Sequence, residues 1–353
     1  MSRVVALRAP VICVAEDRAS CEPGIRLLVS SIARHSPQLR VELFYPPASA
    51  QFMRWAAKFP NVSINGLNLA PPWHGFNIKP RALLTLLEHG SEDVLWVDTD
   101  ILVCANILRI YEGLNPNNLI VAEEALCSSH YDGDALRARS WGLEVGRTVP
   151  FQLNTGVVGV THNHIRLVRR WQEVLDSDAY RAAHAKPWHE RPRHFMGDQE
   201  VLTALVCSTE FSGIPLKFLR RGREIIQFFD QNGYTLSERV RNFVRQPVFI
   251  HSLGEKAWLP KHRHEGGKAA LLDLYQDLSP YRLAAREYAD ELDDVAWLSA
   301  STKVGRMMSA ALAYSPIFAG LPLAVAFDLF RHAKWIKTGG EPRRPFTSTG
   351  AVR

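Results

Sequence analysis

The chain has 353 residues, 46% of them hydrophobic and 22% charged, with a mean hydropathy of -0.12. That composition belongs to a folded chain large enough to bury a sizeable core, and it excludes a disordered, collagen-like or multi-span membrane protein. The net charge of +6 sits at one end: residues 331–353 hold Arg331, Lys334, Lys337, Arg343, Arg344 and Arg353 against Glu341 alone, so the body is nearly neutral, which argues against nucleic acid as a partner and for a tail that meets something anionic.

Cys13, Cys21, Cys104, Cys127 and Cys207 are scattered and form no CxxC pair, and are expected as reduced thiols of a cytoplasmic protein. The opening fifteen residues are broken by Arg8 and Pro10 and contain no uncharged run of signal-peptide length, so no export is expected.

Short β-branched runs alternate with helix-period segments over residues 1–260, the pattern of a mostly parallel sheet with flanking helices. Residues 11–15 read as a buried first strand. Pro23 then suits the first turn of a helix that places Ile25, Leu28, Val29 and Ile32 on one face. Strands are predicted at 41–45, 62–64, 93–97, 119–122, 156–160 and 247–250, with helices at 51–59, 81–89, 164–175 and 198–207. Residues 261–353 change character to helices without strands, at 269–275 and 281–292, followed by an uncharged segment 307–327 and the basic tail 331–353. The fold expected is therefore α/β with a helical C-terminal extension, and the boundary is placed near residue 260.

Two segments carry chemistry. In Trp96-Val97-Asp98-Thr99-Asp100, two carboxylates stand two positions apart at the mouth of an apolar strand, where both can reach one hard divalent cation. In His251-Ser252-Leu253-Gly254-Glu255-Lys256, a strand delivers an imidazole, then a glycine that lets backbone N–H groups approach a phosphate, then an ammonium. The loop Ala15-Glu16-Asp17 follows the first strand, where parallel α/β sheets place ligands, and is a candidate for a nucleobase and ribose.

With Leu153-Asn154-Thr155-Gly156-Val157 and Gly197-Asp198-Gln199-Glu200 between them, these segments make four motifs in the order found in glycosyltransferase family 8, which the chain resembles over about residues 10–260. The resemblance implies a GT-A fold and a retaining, metal-dependent hexosyltransferase that takes a nucleotide sugar, a UDP-sugar, to a glycan or lipid-linked saccharide acceptor. It assigns Asp98, Asp100 and His251 to manganese or magnesium, Gly254 and Lys256 to the diphosphate, and Lys79 or Arg81 to a second positive contact. Thr99 goes with the donor, Asn154, Asp198 and Gln199 with the sugar and the reacting face. The last motif is shorter than the family's and carries Ala257 in place of proline.

Alternatives are a nucleotidyltransferase of similar fold, against which the first loop lacks a Gly-rich phosphate cradle, and a non-catalytic sugar-binding module, against which all three ligand positions are intact. Glu123-Glu124 either holds sugar hydroxyls or is surface charge, and Trp73 is a candidate for stacking on a sugar. His162 and His164 are expected to cap a helix or face solvent, and the polar loop from His184 to His194 is a candidate acceptor lid. The uncharged segment 307–327 is long enough to span a membrane but only mildly apolar, and reads as an interfacial or hairpin segment, a packed helix or a span; with the Arg331, Lys334, Trp335, Lys337 cluster after it, it points to peripheral contact with the cytosolic face of a membrane through residues 307–337.

Overall fold

The computed structural model describes residues 9–67, 69, 77–124, 135–228, 233–254, 256–259, 273–300, 303–312, 317–318 and 320–338. Trp73, Cys127, Glu255, residues 260–272 at the expected boundary, residues 313–316 of the uncharged run and the tail beyond Thr338 lie outside the described residues.

Strands β1 (Val11–Ala15), β2 (Val41–Phe44), β3 (Val62–Asn65), β4 (Asp93–Val97), β5 (Ile101–Val103), β6 (Leu119–Glu123), β7 (Leu153–Thr161), β8 (Leu216–Leu219), β9 (Ile225–Phe228) and β10 (Phe249–Ser252) form two sheets. The larger has the order β3-β2-β1-β4-β7-β6-β8, and the smaller β5-β10-β9. Only β7 runs against its neighbours in the larger sheet; every other pairing there is parallel. β7 begins at Leu153 and not at Gly156, so Asn154 and Thr155 stand on a strand and not in a loop.

The strands read as continuous apolar runs because both faces of the sheet are covered. Ile12 and Val14 pack into a core shared with α1 (Glu22–His35) and α2 (Ala50–Ala56). Cys13 and Ala15, one position off, pack into a second core with α3 (Ile78–Glu88), α4 (Leu136–Ser140), α5 (Ile165–Leu175), α6 (Asp178–His184) and α7 (Asp198–Cys207). The period of two in side-chain direction thus divides each strand between two helical layers. As expected, His164 caps a helix: its Nδ1 accepts the Thr161 N–H at 2.9 Å in a capping box.

Further helices among the described residues are α8 (Leu236–Val244), α9 (Pro280–Ala285), α10 (Lys303–Leu312) and α11 (Leu321–Thr338), and residues 273–277 are helical as well. The segment 281–292, expected as one helix, is divided: α9 gives way to a 3-10 stretch, Arg286–Glu291, where the chain bends at Tyr288 and buries that ring. The uncharged run 307–327 is shared between α10 and α11, and among the described residues no helix is long and apolar enough to cross a membrane.

A third core joins this extension to the smaller sheet. Tyr275, Tyr281, Ala284, Ala285, Leu298, Ala324 and Phe327 meet Leu102, Ile226, Phe228, Ile250 and Trp258. Trp258 donates its indole N–H to the Ser20 carbonyl at 2.9 Å, and its ring lies 6.3 Å from both Tyr281 and Trp297. A Cβ on Gly24 would fall 2.4 Å from Trp258 and 2.5 Å from the Thr99 carbonyl, so glycine is what lets α1, the Trp258 loop and the Asp98–Asp100 turn close on one another. Trp258→Ala is expected to cost about 3–5 kcal/mol through lost burial and the cavity left behind, read as a lower midpoint in urea denaturation.

Candidate active site

Parallel α/β sheets gather their chemistry at the carboxyl ends of the strands, and this one does so from four directions. β4 ends at Val97 and runs into Asp98; β10 carries His251; β7, running the other way, brings its first residues to the same edge; and α7 begins there at Asp198. Backbone bonds fix the convergence: the Asp98 N–H donates to the Gly156 carbonyl at 2.9 Å, and the Ser252 N–H to the Asp100 carbonyl at 3.0 Å.

Asp98, Asp100 and His251 each present one ligand atom, all within 4.8 Å of one another. Trp96, two residues before Asp98 on the same strand face, donates its indole N–H to Asp98 Oδ1 at 2.6 Å and orients the carboxylate. Asp100 is 3% exposed. Its oxygens meet His251 Nε2 at 3.3 Å and Lys256 Nζ at 2.5 Å. Burial opposes ionisation of Asp100, yet Lys256 and His251 more than offset it and hold the carboxyl far below the usual range. A Cβ on Gly156 would sit 2.4 Å from His251 Cε1, so the imidazole lies directly against the strand. His251 Nδ1 is buried with no hydrogen-bond partner among the described residues. Two carboxylates and an imidazole with an unsatisfied nitrogen fit a hard divalent cation such as manganese or magnesium.

Lys79, in the first turn of α3, is 4% exposed and enters the cluster from the opposite side. Its ammonium lies 3.1 Å from Asp98 and 3.5 Å from Asp198, and donates to the carbonyl and hydroxyl of Thr155, both at 3.1 Å. Burial works against that ammonium, but Asp198 and Asp98 outweigh it and raise it above the ordinary lysine value. Arg81, the other residue considered for this role, does not reach the site: it pairs with Asp176 at 2.6 Å, because two positions along a helix point away from the first.

Asp198 accepts the Thr155 hydroxyl at 2.7 Å, and burial raises its carboxyl despite Lys79. The Trp171 indole anchors the Asp198 carbonyl at 3.0 Å and so sets the start of α7. Asn154 donates to Glu124 at 2.9 Å and to Gln199 at 3.4 Å. Of the acidic pair at the end of β6, Glu124 therefore joins the site, whereas Glu123 pairs with Arg220 at 2.9 Å. In the first loop, Ala15 ends β1 and Asp17 is half-buried. Glu16 is buried and occupied: it accepts Arg18 Nε at 2.7 Å and the Thr99 hydroxyl at 3.1 Å. Burial would raise the Glu16 carboxyl, but Arg18 holds it below the ordinary value. Glu16 thus ties the first loop to the Asp98–Asp100 turn. Gly254 takes φ +87°, which turns the chain from His251 back toward Lys256. On α6 the His184 ring stacks on Tyr180 with centroids 4.1 Å apart, and in the loop before α7 Phe195 lies 4.5 Å from Trp141.

The sequence did not single out the layer behind Asn154. Glu200 accepts the Gln152 amide at 2.8 Å, and Gln152 in turn accepts Arg137 at 2.7 Å. The acidic residue directly after Asp198-Gln199 was a usable signal; Gln152 and Arg137 carried none.

No family model and no curated protein matches the chain. Among solved structures it is similar to the apo form of WbbM, a bifunctional glycosyltransferase, with TM-score 0.50 and 14% identity over 73% of this chain and 48% of that one. It also aligns with the galactosyltransferase LgtC in complex with donor and acceptor sugar analogs, with TM-score 0.48 and 15% identity over 80% and 99% of the two chains. Mouse xyloside xylosyltransferase 1 gives TM-score 0.45 and 14% identity over 70% and 99%. The chain spans about half the length of WbbM. The likeness is one of fold, and that fold is the GT-A type of glycosyltransferases.

Burial, reinforced by Glu124 and Asp198 and partly offset by Arg137, pushes the Glu200 carboxyl up to about 7. A carboxyl raised on folding stabilises the protein below its unfolded value and loses that contribution as pH rises through its folded value. Stability is therefore expected to fall between about pH 4.5 and 7 by an amount that Glu200→Gln removes, roughly 3 kcal/mol at most. Urea denaturation of both proteins at either end of that window measures it.

Proposed function

We propose that the chain is a metal-dependent retaining glycosyltransferase of the family 8 kind, moving a hexose from a nucleotide sugar, a UDP-sugar, to a glycan or lipid-linked saccharide. One observation carries the reading: Asp98, Asp100 and His251 converge at the carboxyl edge of a GT-A sheet, with a buried Lys79 and a half-buried Lys256 against the same carboxylates. Three carboxylates, those of Asp98, Asp100 and Asp198, face two ammoniums, which suits the addition of a cation and a doubly charged diphosphate together.

Asp98, Asp100 and His251 would hold manganese or magnesium, which supplies Lewis-acid neutralisation of the departing diphosphate. Lys256 and the backbone around Gly254 would bind the diphosphate oxygens. The loop Ala15-Glu16-Asp17, tied through Glu16 to Thr99, would take the nucleobase and ribose. Lys79 holds Asp98 and Asp198 at fixed separation and shields their mutual repulsion. Asp198 and Asn154 would position the sugar, and Gln199, hydrogen-bonded through Asn154 to Glu124, would face the oxocarbenium-like carbon as bonds break. The basic tail and the segment 307–337 would bring the protein to the cytosolic face of a membrane, where a lipid-linked acceptor is met.

Thermal stabilisation by UDP is expected to require manganese and to vanish in Asp100→Ala. Metal-independent stabilisation would overturn the scheme. With the donor that a panel of nucleotide sugars identifies, Asp198→Asn is expected to lower turnover by about 100-fold or more while leaving manganese-dependent UDP binding in place.

A further inference from the structure

Helix α8 turns an apolar face to solvent. Its capping box closes Thr235 onto Glu238, and Glu238 also pairs with Arg221 at 2.9 Å, so the helix's acidic side chain is drawn inward. Arg239 is buried against the Tyr234 ring, 4.2 Å from its centroid, and donates to the Ile317 carbonyl at 2.6 Å. What faces outward is Val240, 60% exposed, Phe243, 68%, and Val244, 87%, beside exposed Arg241 and Arg245. Three large apolar side chains left in water on nine residues of helix mark an interaction surface.

One side of α8 is covered by its neighbour. The Leu236 N–H donates to Asp328 at 3.0 Å near one end, and Phe243 meets Phe318 edge-on at 5.8 Å near the other, so α8 lies beside the first half of α11. Leu329 on α11 is exposed, and the helix continues through the sequence that holds Arg331, Lys334 and Lys337.

We propose that this face of α8 docks on an anionic lipid bilayer. The exposed charges of α8 and its C-cap are all basic, which complements lipid phosphates. A second copy of the chain would bring Arg241 and Arg245 toward their own images across a two-fold axis, and α8 exposes no carboxylate to meet them. The exposed residues of α8 and its C-cap belong to the folded body, ahead of segment 307–337 and the basic tail in the chain, and stand apart from the chemistry of the site.

Cosedimentation of the full chain with extruded vesicles tests it, comparing phosphatidylcholine alone with an equimolar mixture of phosphatidylcholine and phosphatidylglycerol. Binding to the mixed vesicles is expected to fall about tenfold in Val240→Ser/Val244→Ser. Arg241→Gln/Arg245→Gln is expected to weaken it about fivefold per arginine, with a loss that shrinks as salt rises. All four positions are exposed, and unchanged melting temperatures would exclude misfolding as the cause. Binding by the variants equal to the parent's would overturn the proposal. So would a shift from dimer to monomer on gel filtration with vesicle binding unchanged, because the face would then be an interface between copies.

Discussion

A carboxylate taken out of water has to find a positive charge, and this molecule buries several at one strand edge. Desolvation of an ionised group costs far more than a neutral contact returns. Asp100 is held by Lys256 and His251, and Asp98 and Asp198 share Lys79. Those pairs decide which helices and loops must close on the sheet. Lys79 requires the first turn of α3 to enter beneath β4, and Lys256 requires the loop after β10 to fold back over the Asp98–Asp100 turn. The local compactness of the site follows from charge compensation as much as from apolar packing.

The surroundings are arranged to keep that compensation in register. Gly156 lets the His251 ring lie on β7, and Gly24 lets Trp258 and the Thr99 carbonyl approach α1. Trp258 is also where the extension touches the site, through Tyr281 and Trp297. The helices after residue 273 thus complete a core under the loop that carries Lys256. Arg137, Gln152 and Glu200 form a buried polar chain, and Asn154 links Glu124 to Gln199. Buried polar networks of this kind stiffen a site, because each group would be costly to leave unsatisfied.

Much of this was legible in the chain. Continuous apolar strands separated by helix-period segments announced a covered, mostly parallel sheet, and Asp98-Thr99-Asp100 with the His251–Lys256 segment announced the site. Other parts were hidden for physical reasons. β5, β8 and β9 are three or four residues long, too short for periodicity to separate them from turns. Lys79 and Arg81 were indistinguishable in sequence, since both are basic and adjacent to Pro80; the helix's geometry sends one to Asp98 and the other to Asp176. Glu123 and Glu124 likewise differ only in which face of the sheet edge they leave from.

The sequence by itself determined the layered α/β architecture, the residue types able to hold a cation and a diphosphate, and the placement of the positive surplus at the end of the chain. These are properties of local pattern and composition, and they need no knowledge of contacts. Only the tertiary structure decided which charges meet. Asp98 and His251 are separated by more than a hundred residues in the chain, and Lys79 reaches Asp198 across a similar span. Their pairing depends on strand order and on the antiparallel entry of β7, which no short window of sequence encodes. The same holds for α8, whose apolar residues become a surface because the extension packs against one side of it and leaves the other in water.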